Sequence, residues 1–178
     1  MLSEKRVKEA ENNVKSYLEE GLLEKKGNET AKQMYIENSE LSLETAKKLF
    51  SLENNSYKPY LWVIVSSYYA MYYIANAVLL KLGYKVGDKI SHKVTSDALI
   101  VFVRNKLKKN LLEEYENTKE EALELISSKV DSLLQSLDYE REKRSKFQYQ
   151  MDEQAKKEKA FTSLERAKQF VFDIKKLL

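Results

Sequence analysis

Residues 59–80 read PYLWVIVSSYYAMYYIANAVLL and contain no charged side chain. A helix of this length could cross the roughly 30 Å hydrocarbon core of a bilayer. The midpoint of the run, however, holds four tyrosines, Tyr68, Tyr69, Tyr72 and Tyr73. Tyrosine in a membrane-spanning helix collects at the two interfaces, where its hydroxyl meets water. We therefore expect the buried central helix of a soluble protein, with no membrane as partner.

The composition outside this run favours helices throughout. The 178 residues include only four Gly and one Pro, the residues that punctuate strands and hairpins. A chain of this length, with 43% hydrophobic residues, is long enough for one domain with a sizeable core. The sequence thus predicts an all-α protein, an up-and-down bundle of five to six helices, in a single domain of residues 1–178.

Several classes of site are disfavoured by residue counts. The chain has no Cys, which removes disulfides and thiolate chemistry, and it has one His, His92, so a zinc or triad enzyme is not expected. We expect no metal and no cofactor. The net charge of +3 is too small to indicate nucleic acid by itself. The charged N-terminus lacks the apolar core of a signal peptide, so we expect a cytoplasmic protein.

Apolar residues recur at spacings of three and four and indicate six helices. Their expected bounds are 3–25, 29–52, 59–82 and 90–109, then a fifth helix behind a capping box of Thr118 and Glu121 and a sixth capped by Asp152. Gly27 and Asn28 are expected to end the first helix. Residues 83–91, GYKVGDKIS, are interpreted as a short connection.

The tyrosine stripe and His92 each have two interpretations. A stripe at helical spacing is typical of a core, although the rings could also form a base-binding pocket. Buried tyrosine hydroxyls need partners, and Ser66, Ser67 and Asn76 are the nearest candidates. His92 could be a base or ligand at the start of a helix, or a capping or packing residue.

The segment SYYAMYYIANAVLLKLGYKVGDKISH, residues 67–92, resembles the signature helix of the HEPN domain superfamily. The residues that carry the resemblance are Tyr68, Tyr69, Ala70, Ala75, Ala77, Leu79, Leu80, Gly83 and His92. YIENSELSLETAKKLF upstream and ERAKQFVFDIKKLL downstream resemble the flanking helices of that family. The resemblance implies a HEPN-like core over residues 29–178, with residues 1–28 as an added N-terminal helix.

The resemblance also implies a set of functions. The family includes metal-independent RNases, RNA-binding modules, and toxin or partner proteins of small nucleotidyltransferases, and its members usually dimerise. Catalytic members have an Arg and a His separated by four to six intervening residues. Here Arg144 matches the Arg, but Tyr149 stands where the His is expected, and no His follows His92. Cleavage through a ribose hydroxyl needs a group that titrates near neutral pH, and only about one tyrosine in a thousand is ionised there.

The segment DYEREKRSKFQYQM, residues 138–151, is therefore the candidate site. Arg141 and Arg144 are predicted to donate to phosphate. The stacking and polar candidates beside them are Tyr139, Phe147, Gln148 and Tyr149. An unbroken helix would turn Tyr149 about 140° away from Arg144, so the two act together only if the helix ends or bends between them. The alternative interpretation is an exposed charged turn.

Three functional hypotheses follow. The leading one is a dimeric HEPN-like protein that binds RNA or a nucleotide without cleaving it and is partnered with a small nucleotidyltransferase in a toxin–antitoxin-like system. The second is a metal-independent endoribonuclease in which Arg144 holds phosphate and Tyr149 or His92 transfers protons. The third is a pure protein–protein interaction module.

Overall fold

The computed structural model describes residues 2–107, 110–137 and 153–178. This part of the chain contains six α-helices and two short strands. In chain order they are α1 (Glu4–Glu19), β1 (Leu23–Lys25), α2 (Glu29–Ser51), α3 (Tyr60–Lys81), β2 (Tyr84–Val86), α4 (Ser91–Phe102), α5 (Leu111–Leu137) and α6 (Glu153–Lys175). The expected all-α bundle is confirmed.

Helices α2, α5 and α6 pack around α3. Along the chain these four helices alternate in direction. The Ser39 hydroxyl at the middle of α2 donates to the Ala70 carbonyl of α3, 2.7 Å away. Helix α6 runs parallel to α3. Lys58 before α3 pairs with Glu153 at the start of α6, and Lys81 at the end of α3 donates to the Leu178 carbonyl beyond the end of α6. Helix α5 runs antiparallel to both. Helix α1 packs on α4 at the side of these four helices.

Helix α3 is the core of the bundle. It is the one described helix that is long and apolar enough to span a membrane, and 78% of its apolar window is buried inside the protein. Tyr68, Met71 and Ile74 are fully buried. Neighbours on most sides account for its nearly uniform apolar composition. The interpretation of the tyrosine-rich run as a core helix agrees with this burial.

The first helix ends six residues before its predicted end, and the predicted connection at 83–91 contains a strand. Gly21 adopts a φ of 71°, a conformation that glycine tolerates best, and it turns the chain out of α1. Leu23 can then pair with Val86 in an antiparallel ladder and become almost fully buried. Three-residue strands are too short to produce an alternating pattern, so hydrophobic periodicity does not reveal them.

The fourth helix ends at Phe102, not at residue 109. Val103 is fully buried, and a short 3-10 helix, Arg104–Lys106, follows it before Leu107 becomes extended. This turn brings Leu111 into the core at the start of α5. The fourth helix therefore ends where the chain turns to bring the first residues of α5 into the core.

The predicted capping box is wrong. Thr118 lies inside α5, fully buried, and its hydroxyl donates to the Glu114 carbonyl 2.8 Å away. A threonine can satisfy its hydroxyl within a helix in this way as well as at a cap. Helix α5 begins at Leu111 instead. The predicted cap Asp152 lies outside the described residues.

Candidate functional site

Most of the predicted site lies outside the described residues. This holds for Tyr139, Arg141, Arg144, Phe147, Gln148 and Tyr149. Helix α6 begins at Glu153, which pairs with Lys58 next to the start of α3. There Glu53 accepts hydrogen bonds from Lys157 and Tyr60, which lower the pKa of its carboxyl. Helix α6 thus begins at the end of the bundle where α3 begins.

His92 is the predicted site residue that the structure describes. It is the second residue of α4, and its Nδ1 lies 2.6 Å from the hydroxyl oxygen of the buried Tyr68. The ring of Tyr72 packs at 4.6 Å between centroids, and the ring of Tyr69 meets it edge-on at 6.0 Å. His92 is itself only partly exposed. The ring of His92 thus packs among the tyrosines of α3, with one ring nitrogen hydrogen-bonded to Tyr68.

The predicted partners of the tyrosine hydroxyls are wrong for Tyr68, which is bonded to His92. Asn76 donates instead to the Tyr72 backbone carbonyl, 2.9 Å away, and accepts from Thr95 of α4. Ser67 is buried, and its hydroxyl has no hydrogen-bond partner within the described ranges. The nearest polar residues in the sequence belong to the same helix as Tyr68, whereas its actual partner comes from another helix.

Burial sets the protonation of this cluster. Loss of water raises the pKa of Tyr68 far above its ordinary value, and the same cause acts on the fully buried Tyr115 of α5. Burial, with a smaller contribution from the positive charge of Lys119, lowers the pKa of His92 below 6.5. The Tyr68–His92 pair is therefore uncharged at neutral pH.

A second polar cluster joins α1 to α4 and α5. Asp97 of α4 is completely buried, and Arg6 reaches both Asp97, at 2.7 Å, and Glu116 of α5, at 2.6 Å. Asn13 and Tyr17 donate to the other Asp97 oxygen, each at 2.9 Å. Burial opposes the charge on Arg6, but its hydrogen bonds to the two carboxylates outweigh that effect and raise its pKa.

The sequence analysis did not single out this charged cluster. A signal was present, because Asp97 is the lone acidic residue in the apolar run VTSDALIVF, residues 94–102. A buried carboxylate is found where it is paired or hydrogen-bonded, so such a residue predicts a basic partner on another element. The sequence does not say that the partner is Arg6.

An open groove of about 430 Å³ lies between α2 and α3. It is lined by Leu41, Ser42, Thr45, Trp62, Val65, Ser66, Tyr69 and Tyr73, none of them charged. Trp62 is 59% exposed and Leu41 67% exposed. Tyr69 borders both this groove and His92. Aromatic faces are thus available to a ligand or a partner next to the neutral cluster.

One comparison with known proteins identifies a family for this chain. The family model described as HEPN domain matches residues 33–177, which is most of the chain. That family is known for RNA-binding, ribonuclease or nucleotide-related roles. Searches of curated proteins and of solved structures found no match. On the extent of the family match, the chain belongs to the HEPN domain family.

Proposed function

We propose that the protein binds RNA or a nucleotide and does not cleave it. One observation carries this proposal: the single imidazole of the chain is hydrogen-bonded to the tyrosine core, and none of the described residues gives it an Arg or carboxylate hydrogen-bond partner. Catalysis by general acid and base needs an imidazole that is oriented toward the reacting group and titrates near the working pH. Family membership supports the binding role.

The anion site in this proposal is the Arg pair, Arg141 and Arg144. Guanidinium groups donate in a planar fork that matches phosphate oxygens, but they keep their proton at neutral pH and cannot act as bases. Tyr139, Phe147, Gln148 and Tyr149 complete the proposed site, with the aromatic rings as stacking faces. A tyrosine hydroxyl ordinarily has a pKa near 10, so a tyrosine at the position of the family's catalytic His, Tyr149, is a poor substitute as acid or base.

Binding to a mixed pool of RNA fragments tests the proposal. The Arg141→Ala, Arg144→Ala double variant should bind at least about tenfold more weakly, equivalent to about 1.4 kcal/mol. Lys8→Ala, Lys15→Ala is the matched control, because it removes the same charge from exposed positions of α1 and should change affinity less than about twofold. Unchanged affinity in the double variant contradicts the proposal.

The same samples test the absence of cleavage. The RNA should stay intact over hours, with and without a chelator, because the neutral Tyr68–His92 pair has no oriented acid or base beside it. Cleavage that persists in the chelator and disappears in a Tyr149→Phe variant would instead establish the metal-independent endoribonuclease with Arg144, Tyr149 or His92 as its catalytic groups.

The proposal extends to organisation and partners. Family members often dimerise, and this supports a homodimer. We further propose a cytoplasmic single-domain protein in which residues 1–28 are added to a 29–178 core, partnered with a small nucleotidyltransferase in a toxin–antitoxin-like system. The start of the family match at residue 33 and the Arg6 contacts of α1 support the domain arrangement. Copurification with a nucleotidyltransferase encoded beside its gene tests the partner.

The uncharged groove favours a second candidate function, a protein–protein interaction module. Trp62 and Leu41 leave large apolar surfaces exposed there, as interfaces do. Trp62→Asp should then abolish association with a partner or a second copy, measured by sedimentation, while the thermal midpoint stays within a few degrees. Unchanged association removes this candidate.

A further inference from the structure

The packing of α4 against α5 places two basic side chains opposite each other. The Ser96 hydroxyl donates to Glu116 Oε1 at 2.9 Å and joins the two helices at that level, and the positive charge of Lys119 acts on His92. One turn before Ser96 on α4 is His92, and one turn beyond Glu116 on α5 is Lys119. Tyr115, one turn before Lys119, packs its ring 6.1 Å from Tyr68, the hydrogen-bond partner of His92. The same geometry thus places Lys119 beside the His92 cluster.

Lys119 is a half-buried cation without an ion-pair partner among residues 2–107, 110–137 and 153–178. The negative charges of Glu116, Glu120 and Asp97 reach it, but Arg6 contacts Glu116 and Asp97 at 2.6 and 2.7 Å, and Glu120 is exposed to solvent. Buried charges in proteins are ordinarily paired. A cation next to an imidazole, with Arg6 bound to two of the nearby carboxylates, is an arrangement that suits an anion.

Aromatic rings border the same place. Tyr72 packs at 4.6 Å from the His92 ring and Tyr69 at 6.0 Å, and both tyrosines are partly exposed. The first turn of α4 adds backbone N–H groups with no side-chain cap. Tyrosine rings stack on nucleobases with little sequence preference, because every base has a flat π face. The surroundings therefore suit an anion that carries a flat ring.

We infer that His92 and Lys119 bind the phosphate of a nucleotide, with Tyr72 and Tyr69 as stacking faces for its base. This inference rests on the proposed function and assigns it a second contact site, distinct from the Arg141 and Arg144 pair. The shared chemistry is a phosphate joined to a nucleobase, supplied either by a free mononucleotide or by the backbone of RNA. The site binds and does not cleave.

The single histidine makes a direct experiment simple. The imidazole signal of His92 in a proton NMR spectrum reports its pKa without overlap from another His. The groups that face it are Tyr68, Tyr69 and Tyr72 from α3 and Lys119 from α5. A bound phosphate favours the imidazolium, so adenosine monophosphate should raise the pKa of His92, whereas adenosine, which lacks the phosphate, should not. No change with adenosine monophosphate overturns the inference.

Two lysine variants show whether Lys119 acts. Lys119→Met should weaken binding of adenosine monophosphate at least about tenfold in calorimetry, and Lys119→Arg should restore most of it. Lys93→Met is the matched control, because Lys93 follows His92 but is exposed, and its effect should stay below about twofold. Equal losses in Lys119→Met and Lys93→Met overturn the inference. Should Lys119→Met unfold, the His92 titration in the unaltered protein decides alone.

A short RNA without terminal phosphates separates the two sources of phosphate. A shift of the His92 signal with this RNA assigns the site to backbone phosphate, and a shift with adenosine monophosphate alone assigns it to a free nucleotide. The Arg141→Ala, Arg144→Ala variant keeps this inference separate from the proposed function. If this variant loses RNA binding while His92 of the unaltered protein responds to neither probe, the proposed function stands and only the site at Lys119 is removed.

Discussion

Helix α4 joins two buried polar clusters that differ in charge. At its start, His92 meets the hydroxyl of Tyr68 in a pair that is neutral at pH 7. Five residues later, on another side of the helix, Asp97 meets the Arg6 guanidinium. The neutral cluster links α4 to α3, within the region that the family model matches, and the charged cluster links α4 to α1, outside that region.

The difference shows how two kinds of buried contact hold one helix. A neutral hydrogen bond contributes about 1 kcal/mol net, and its loss is a local event. A buried ion pair gains little over an apolar substitute, but removing one partner leaves an uncompensated charge and costs about 3–5 kcal/mol. Removing only one partner of the Arg6–Asp97 pair that holds α1 should therefore cost more stability than removing both partners.

Arg6→Met should have the largest effect. It leaves Asp97 completely buried and without a cation, so the free energy of unfolding should fall by about 3 kcal/mol, the low end for such losses because Arg6 is itself 23% exposed. Urea unfolding followed by circular dichroism measures this. Lys5→Met, at the exposed neighbouring position, is the control and should cost less than about 0.5 kcal/mol.

The double variant Arg6→Met, Asp97→Asn sharpens the result. Removing both charges should recover part of the loss, because the buried carboxylate is gone and the amide can still accept from Asn13 and Tyr17. Additive losses in the cycle would mean that Arg6 and Asp97 are not energetically coupled, and the contrast between the two clusters would not hold.

Tyr68→Phe should have an intermediate effect. It removes one hydroxyl from the neutral cluster and leaves His92 Nδ1 without its partner, at about 1–2 kcal/mol. Tyr73→Phe is the matched control on the same helix, where the hydroxyl is on the partly exposed groove side, and should cost less than about 0.5 kcal/mol. Equal losses in the two variants would show that the Tyr68–His92 bond adds nothing.

Acid should have the smallest effect on the neutral cluster. The pKa of His92 is below 6.5 in the folded protein, so as pH falls through 6.5 the unfolded chain takes up its proton first and the free energy of unfolding decreases. The free energy of unfolding falls by at most about 1.4 kcal/mol per pH unit, and the fall stops once the pH is below the pKa of His92 in the folded protein. Unfolding at pH 7 and about pH 5.5 should show a steeper loss in the unaltered protein than in His92→Gln.

The fold was largely predictable, and the described site was predictable only in part. The uncharged run at 59–80 and its tyrosines predicted a buried central helix, because an apolar run of that length must be covered. The partner of Tyr68 was not predictable, since His92 approaches from a different helix, 24 residues along the chain. The lone acidic residue Asp97 in an apolar run indicates a basic partner on another element, but the sequence does not identify that partner as Arg6.

Periodicity and composition predicted a helical bundle with a buried central helix, because local spacing sets which face of a helix is apolar, and the tyrosine-rich segment carried the resemblance to the HEPN family. The sequence did not reveal that His92 is bonded to Tyr68 and close to Lys119, or that Gly21 turns the chain into a small sheet. Those facts depend on which helices become neighbours, and burial by neighbours sets both hydrogen-bond partners and pKa.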